Sequence, residues 1–132
     1  MSPERVYTGP LIDKLGVVPG ARVVVLGVTD AAFRAALEAR THDITAGPPL
    51  PDTDLIFLAA DSPGELAAII ELQRSLKPAG AIWVISHKGR AATLRDVEVI
   101  AAAKAAGLVD NKVVAFSATH TALRLVIPRS WR

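Results

Sequence analysis

A basic loop, His87-Lys88-Gly89-Arg90, is the segment of this sequence with the clearest capacity for chemistry. It follows an apolar run and places an imidazole, an ammonium and a guanidinium around one glycine. Charged nitrogen donors form strong hydrogen bonds with anions, and a glycine lets a loop close around a bound group. We therefore predict that His87, Lys88 and Arg90 meet a small anionic ligand or a partner. A solvated basic connection is the alternative.

Polar residues also follow two earlier apolar runs. Thr29 and Asp30 come after the run that ends near Gly27, while Asp61 and Ser62 come after the next run. Asp30 and Ser62 each precede a helical pattern, where a short polar side chain caps the first backbone N–H groups. We favour helix capping for Asp30 and Ser62. We interpret Gly27 as a packing glycine where the following helix crosses the strand.

Other reaction classes lack their characteristic residues. The sequence has no cysteine, and His42, His87 and His120 lack the spacing of metal ligands. We therefore expect no metal site and interpret each histidine as a solvated loop residue. Neither a G-x-G-x-x-G segment nor a P-loop is present, and no G-x-S-x-G segment presents a serine nucleophile.

The composition predicts one globular domain over residues 1–132. Hydrophobic residues make up 51% and charged residues 21% of the chain, and the net charge is +2. The first residues, MSPERVYTGP, lack the apolar stretch of a signal peptide, and no apolar run reaches membrane-spanning length, so we expect a cytoplasmic protein without a membrane partner. The basic residues towards the end are compatible with contact to RNA or a protein, and equally with a frayed terminus. They are Arg124, Arg129 and Arg132, with Trp131 beside them.

The elements that position these residues alternate between strand and helix. Apolar, β-branched runs bounded by turns predict strands, and apolar residues recurring every three or four positions predict helices. Strands are predicted over 22–28, 43–46, 54–60, 81–86, 112–116 and 122–127, and helices over 11–15 and 31–40. A third helix is predicted to begin after Ser62 and to end at Lys77, with an apolar face of Leu66, Ile69, Ile70, Leu72 and Leu76. A fourth helix is predicted to begin at Thr93 and Asp96 and to end at Gly107, with the apolar residues Leu94, Val97, Ile100 and Ala101.

This alternation predicts an α/β fold with a mainly parallel sheet covered by helices on both faces. Only five residues, SATHT, separate the last two strands. A parallel crossover needs a dozen or more residues, so the last strand is predicted to run antiparallel. The central strands are buried on both faces. Leu26, Ile56, Leu58, Ile82 and Val84 are therefore expected among the most buried residues.

Several segments carry a resemblance to a known fold. LGVVPGARVVVLG and RSLKPAGAIWVIS resemble core segments of class I S-adenosylmethionine-dependent methyltransferases, a Rossmann-like family. YTGPLIDKLGVVPG and GLVDNKVVAFSATHTALRLVIPR resemble a small uncharacterised bacterial family, a domain of unknown function similar to truncated methyltransferases. The resemblance implies a three-layer sheet of six strands in the order 2-1-3-4-6-5, with one strand and its flanking helices missing between Ala46 and Asp54. His120 stands where that family leads us to expect tryptophan.

The resemblance also implies what S-adenosylmethionine would need at the point where the strand order reverses. A glycine-rich turn after the first strand approaches the amino-acid end of the cofactor, and an acidic residue ending the second strand holds the ribose hydroxyls. This sequence has Gly27-Val28-Thr29-Asp30 at the first position. At the second it has Ile44-Thr45-Ala46-Gly47, without a carboxylate.

We therefore favour a non-catalytic module that binds a ligand or a protein and has lost the cofactor site. The alternative is an S-adenosylmethionine-dependent methyltransferase of unknown substrate, with Gly27, Thr29, Asp30 and Asp61 lining the cofactor. A third interpretation is a nucleic-acid-associated protein that uses the basic loop and the C-terminal tail.

Overall fold

A six-stranded mixed sheet forms the centre of the structure, a computed structural model that describes residues 10–131. The strands are β1 (Val23–Leu26), β2 (Ile44–Thr45), β3 (Thr53–Ala59), β4 (Leu76–His87), β5 (Val109–Ala115) and β6 (His120–Val126). The α-helices are α1 (Leu11–Lys14), α2 (Ala31–Arg40), α3 (Ile69–Leu72) and α4 (Asp96–Ala105). Short 3₁₀ segments cover Pro63–Ala68, Gln73–Ser75, Gly89–Ala91 and Arg129–Trp131.

The strand order is β2-β1-β3-β4-β6-β5. The first four strands pair in parallel, and β6 runs antiparallel to both of its neighbours. This arrangement confirms the predicted α/β fold, including the antiparallel closing hairpin. Because parallel strands end at the same edge of a sheet, the loops after β1, β3 and β4 meet at the carboxyl edge.

Alternate side chains of the strands enter two separate hydrophobic layers. Phe57 and Trp83 pack with Phe33 and Leu37 of α2 on one face, whereas Ile56, Ile82 and Val84 pack on the other face with residues of the 3₁₀ segment, α3 and α4. The sheet is therefore the middle of three layers. Ile56, Leu58, Ile82 and Val84 are buried as predicted. The prediction for Leu26 is wrong, because β1 ends there and its side chain is only half-buried at the margin of the second layer.

The segment between β3 and β4 is not the continuous α-helix that the sequence predicted. Only Ile69–Leu72 is α-helical, with 3₁₀ segments on either side. The residues it buries, Leu66, Ile69 and Leu72, are three positions apart, which matches the three-residue turn of a 3₁₀-helix. Ile70 is consequently 47% exposed, and Leu76 belongs to β4 rather than to this helix.

Helix α4 packs on a different face from the one predicted. Its buried residues are Val99 and Ala103, while Val97 is 61% and Ile100 is 37% exposed. The segment 97–103 consists of apolar residues except Glu98, so its periodicity does not select one stripe. Contact with the sheet selects the face instead, and it leaves Val97 beside the loop that follows β4.

Candidate functional site

Residues 10–131 enclose a smaller and a larger cavity at the carboxyl edge of the sheet. The smaller, which we call the switch-point cleft, has a volume of about 180 Å³ and lies where the strand order reverses between β1 and β3. The larger, which we call the α4 pocket, has a volume of about 430 Å³ and lies between the loop after β4, the start of α4 and the β5–β6 hairpin. The cleft is lined by Gly27, Val28, Thr29, Asp30, Ala59, Ile85, Phe116, Thr119 and His120. The pocket is lined by His87, Lys88, Gly89, Ala92, Leu94, Arg95, Asp96, Val97, Val113 and Thr121.

Gly27 is required by the backbone at the start of the switch-point cleft. Its φ angle is +78°, and a Cβ atom added there would lie 3.2 Å from the Cβ atom of Ala59. The left-handed backbone and the close approach of β3, and not a contact with helix α2, therefore favour glycine here, which corrects the sequence interpretation. This glycine is the only one in the loop, and Thr29 beside it is exposed.

Asp30, the acidic residue that lines the switch-point cleft, caps helix α2. Asp30 is the N-cap of α2, and its Oδ1 accepts a hydrogen bond of 2.8 Å from the backbone N–H of Phe33. This confirms the predicted cap. The strand β2 ends at Thr45, whose Oγ1 accepts a hydrogen bond from the N–H of Gly47. No carboxylate follows β2 before Asp52, which lies in the turn that leads into β3.

Asp61, just after β3, accepts two hydrogen bonds from His87, the last residue of β4. One carboxylate oxygen accepts the backbone N–H of His87 and the other meets its ring Nδ1, both at 2.9 Å. Because a carboxylate only accepts hydrogen bonds, Nδ1 carries a proton and the ring is held in one orientation. Thr93 Oγ1 donates to the carbonyl of Asp61 at 2.6 Å, which ties the loop before α4 to the same point. Within residues 10–131, the Nε2 atom of His87 has no hydrogen-bond partner.

A second histidine stacks against the first. The antiparallel register of β4 and β6 places His87 opposite His120, and their ring centroids are 4.1 Å apart. Thr119 Oγ1 lies 2.8 Å from Nδ1 of His120. The interpretation of these two histidines as solvated loop residues is therefore wrong, because both lie in strands and are half-buried. Since His87 lines the α4 pocket and His120 lines the switch-point cleft, the histidine pair separates the two cavities.

Among the described residues, no group of three or more histidine, cysteine, aspartate or glutamate side chains is arranged to hold a metal ion. His42, the third histidine, is exposed at the end of α2 next to Thr41.

The basic loop contributes only part of its charge to the α4 pocket. His87, Lys88 and Gly89 line the pocket, whereas Arg90 is exposed and is absent from the lining. Arg95, which sequence reasoning did not select, takes its place. Its position just before α4 is the only signal in the sequence that would have pointed to it.

The described C-terminal residues Arg124, Arg129 and Trp131 line neither of the two cavities. Arg124 is half-buried within β6, while Arg129 and Trp131 are exposed in the last 3₁₀ segment. Arg132 and residues 1–9, which include the beginning of the YTGPLIDKLGVVPG motif, lie outside the described residues. No helix within residues 10–131 is long and apolar enough to span a membrane.

The contacts of Asp61 change its protonation. Burial raises the pKa of the Asp61 carboxyl, but the hydrogen bonds from the backbone and ring of His87, with the charges of His87 and His120, outweigh burial and lower the pKa overall. A carboxyl whose pKa is lower in the folded state stabilises the fold above its ordinary pKa. That stabilisation is lost as the pH falls through the lowered value.

We therefore expect Asp61→Asn to reduce stability near pH 6 and to have a shrinking effect as the pH falls below about 4. Urea unfolding of the wild type and of Asp61→Asn, from about pH 6 to below about pH 4, measures the difference in their free energies of unfolding. Asp110→Asn, which removes an exposed carboxylate from β5, controls for the change in net charge. A stability difference between wild type and Asp61→Asn that stays constant down to the lowest pH would contradict the pairing.

The architecture is similar to that of solved methyltransferase structures. A candidate methyltransferase from Thermoplasma acidophilum matches with a TM-score of 0.63 and 10% identity, over 93% of this chain and 76% of that one. A candidate type 11 methyltransferase from Sulfolobus solfataricus matches with a TM-score of 0.65 and 17% identity, over 89% of each chain. An S-adenosylmethionine-dependent methyltransferase from Aquifex aeolicus matches with a TM-score of 0.61 and 18% identity, over 89% of this chain and 88% of that one. At such identities the likeness shows the fold alone.

Sequence comparison adds the family. No curated protein matches the chain in sequence. The family described as "Protein of unknown function (DUF3052)" matches residues 13–129. The chain, a methyltransferase-like α/β fold with its strands in the order 2-1-3-4-6-5, belongs to this family.

Proposed function

We propose that this chain is a non-catalytic ligand-binding module on a methyltransferase-like scaffold, with its ligand in the α4 pocket. Sites for small molecules usually enclose about 300–1,000 Å³. The α4 pocket, at about 430 Å³, lies within that range, and the switch-point cleft, at about 180 Å³, lies below it. A fold shared with methyltransferases does not by itself argue for methyl transfer.

The observation that carries the proposal is the engagement of both carboxylates that would face a cofactor. Asp30 accepts the N–H of Phe33, and Asp61 accepts both the N–H and the ring of His87. Oδ1 of Asp30 and both oxygens of Asp61 are therefore already engaged within the protein, and Asp61 does not line the switch-point cleft. Strand β2 ends without an acidic residue to hold the ribose hydroxyls. The residues present therefore do not fit this cofactor.

The expected affinity follows from the missing contacts. A charge-assisted hydrogen bond contributes about 1.5–3 kcal/mol, and about 1.4 kcal/mol corresponds to a tenfold change in affinity. Losing two such bonds weakens a micromolar site by about a hundredfold or more. We expect calorimetric titration with S-adenosylmethionine to give a dissociation constant above roughly 0.1 mM. A value in the low micromolar range would overturn the proposal.

A second experiment asks where small molecules do bind. In an NMR screen of fragment-sized compounds, we expect hits to shift the amide resonances of 87–97, Val113 and Thr121. Val97→Asn places a polar group on the exposed pocket wall and should weaken these hits, whereas Ile100→Asn, one turn further along α4 and outside the lining, should not. Compounds whose binding is unchanged in both variants, or a screen in which no compound shifts these resonances, would count against the α4 pocket.

The second candidate function is an S-adenosylmethionine-dependent methyltransferase. One observation favours it: Gly27, Thr29 and Asp30 line a cleft at the point where open α/β sheets bind their ligands. The calorimetric titration decides between the candidates, because a low micromolar constant supports this one.

A further inference from the structure

Resting on the proposed function, we propose that the α4 pocket takes an organic anion, a small molecule with an apolar body and one carboxylate or similar anionic group. Three features of the pocket support this ligand: an apolar wall, two basic side chains at its rim, and a histidine held in a fixed orientation.

The wall would hold the apolar body. Leu94 is buried beneath the pocket, Val113 of β5 is half-buried beside it, and Val97 is 61% exposed on the first turn of α4. Covering Val97 and Val113 removes apolar surface from water, which stabilises a complex by about 25 cal/mol per Å². A fully hydrated inorganic anion gains nothing from this wall, so the ligand is expected to be organic.

The rim would hold the anionic group. Lys88 and Arg95 bring two fixed positive charges to the lining, and Asp96 brings one negative charge. The carboxylates of Asp61 and Glu98 contact His87 and Arg95 beside it. The Arg95 side chain is 78% exposed, and its Nε lies 3.4 Å from Glu98 Oε1, a long and solvent-exposed contact. Such a pair contributes little to stability, so the guanidinium can turn towards a bound anion at low cost.

His87 adds a directed contact. Asp61 holds the ring through Nδ1, and Nε2 has no hydrogen-bond partner within residues 10–131. Because the ring is already oriented, a bond from Nε2 to a ligand does not require the side chain to be ordered first. An imidazole protonated on both nitrogens donates from Nε2, and a carboxylate is an acceptor for that bond.

The test compares three probes that separate the two parts of the ligand. Naphthoate has an apolar body and a carboxylate, naphthamide has the same body without charge, and acetate has the charge without the body. By calorimetry near pH 6, we expect naphthoate to bind at least about tenfold more tightly than either of the other probes, a difference of about 1.4 kcal/mol.

Two exposed arginines on the same connection between β4 and α4 supply a matched pair of variants. Arg95→Ala should weaken naphthoate severalfold and leave naphthamide unchanged, whereas Arg90→Ala, outside the lining, should leave both unchanged. His87→Gln should also weaken naphthoate selectively. The fold of each variant is checked by its circular dichroism spectrum.

The outcomes separate this inference from the proposed function. Equal binding of naphthoate and naphthamide in the α4 pocket, or equal losses in Arg95→Ala and Arg90→Ala, would overturn the organic anion while leaving a ligand-binding module. Absence of binding by all three probes would overturn the inference. The proposed function itself fails on different results, namely low micromolar binding of S-adenosylmethionine or a fragment screen without hits in the pocket.

Discussion

Replacement of Trp83 by phenylalanine should lower the free energy of unfolding by about 2–4 kcal/mol. Trp83 is fully buried in β4, and its Nε1 donates a hydrogen bond of 3.1 Å to the backbone carbonyl of Leu15, which is also buried. Phenylalanine leaves that carbonyl without its donor, which costs about 1–3 kcal/mol. The smaller ring also leaves a cavity, which adds about 1 kcal/mol.

Urea unfolding followed by circular dichroism measures this loss. The matched control is Trp131→Phe, at the other tryptophan of the chain, which is 69% exposed and should change stability little. A loss below about 1 kcal/mol in Trp83→Phe would mean that the Leu15 carbonyl finds another partner.

The expected loss of stability reflects how helix α1 is attached to the sheet. Trp83 and Leu15 are 68 positions apart in the chain. Lys112 Nζ donates to the carbonyl of Lys14, and Arg40 Nη1 donates to that of Val17. Helix α1 has only four residues and is too short to be stable alone, so these side-chain donors from the sheet and from α2 hold its C-terminal end in place.

Gly80→Ala should lower the free energy of unfolding by about 2–3 kcal/mol, although no left-handed backbone is involved. A Cβ atom at this position would lie 2.9 Å from the carbonyl oxygen of Asp54 and 3.1 Å from those of Thr53 and Lys77. All three are backbone atoms, so the contact cannot be relieved by a side-chain rotation. The strands β3 and β4 would have to separate where their register shifts, between the Thr53–Leu76 and Leu55–Ala81 pairs.

The control for Gly80 is Gly47→Ala. A Cβ atom at Gly47 meets only the Oγ1 atom of Thr45, at 3.8 Å, which is an ordinary contact. Thermal unfolding of the two variants should therefore separate a backbone clash from the general effect of replacing a glycine. Equal melting temperatures would show that β4 absorbs the extra methyl group without moving its partner strand.

Most of the fold could be predicted from the sequence, because the patterns that indicate its strands and turns lie within short segments of the chain. A strand buried on both faces must be apolar along its whole length, so β1, β3 and β4 were visible as apolar runs. The loop between β5 and β6 is too short for a parallel crossover, which forced the antiparallel hairpin. The cap of α2 was predictable for the same reason, since Asp30 and Phe33 are only three positions apart.

Only part of the candidate site could be predicted from the sequence. The sequence placed His87, Lys88 and Asp61 at the carboxyl edge, because each follows a recognisable strand. The sequence did not point to Arg95. This residue precedes α4, and its place in the pocket depends on which side of α4 packs on the sheet. The apolar sequence of α4 does not determine that side.

The Asp61–His87–His120 cluster was decided by tertiary structure alone. Asp61 meets His87 because β3 and β4 are parallel neighbours, and His120 meets His87 because β6 pairs with β4 in one particular register. A slip of one residue would send each side chain to the opposite face of the sheet. That register is fixed by the packing of both faces of the sheet, and a contact between residues 26 and 33 positions apart has no counterpart in local sequence pattern.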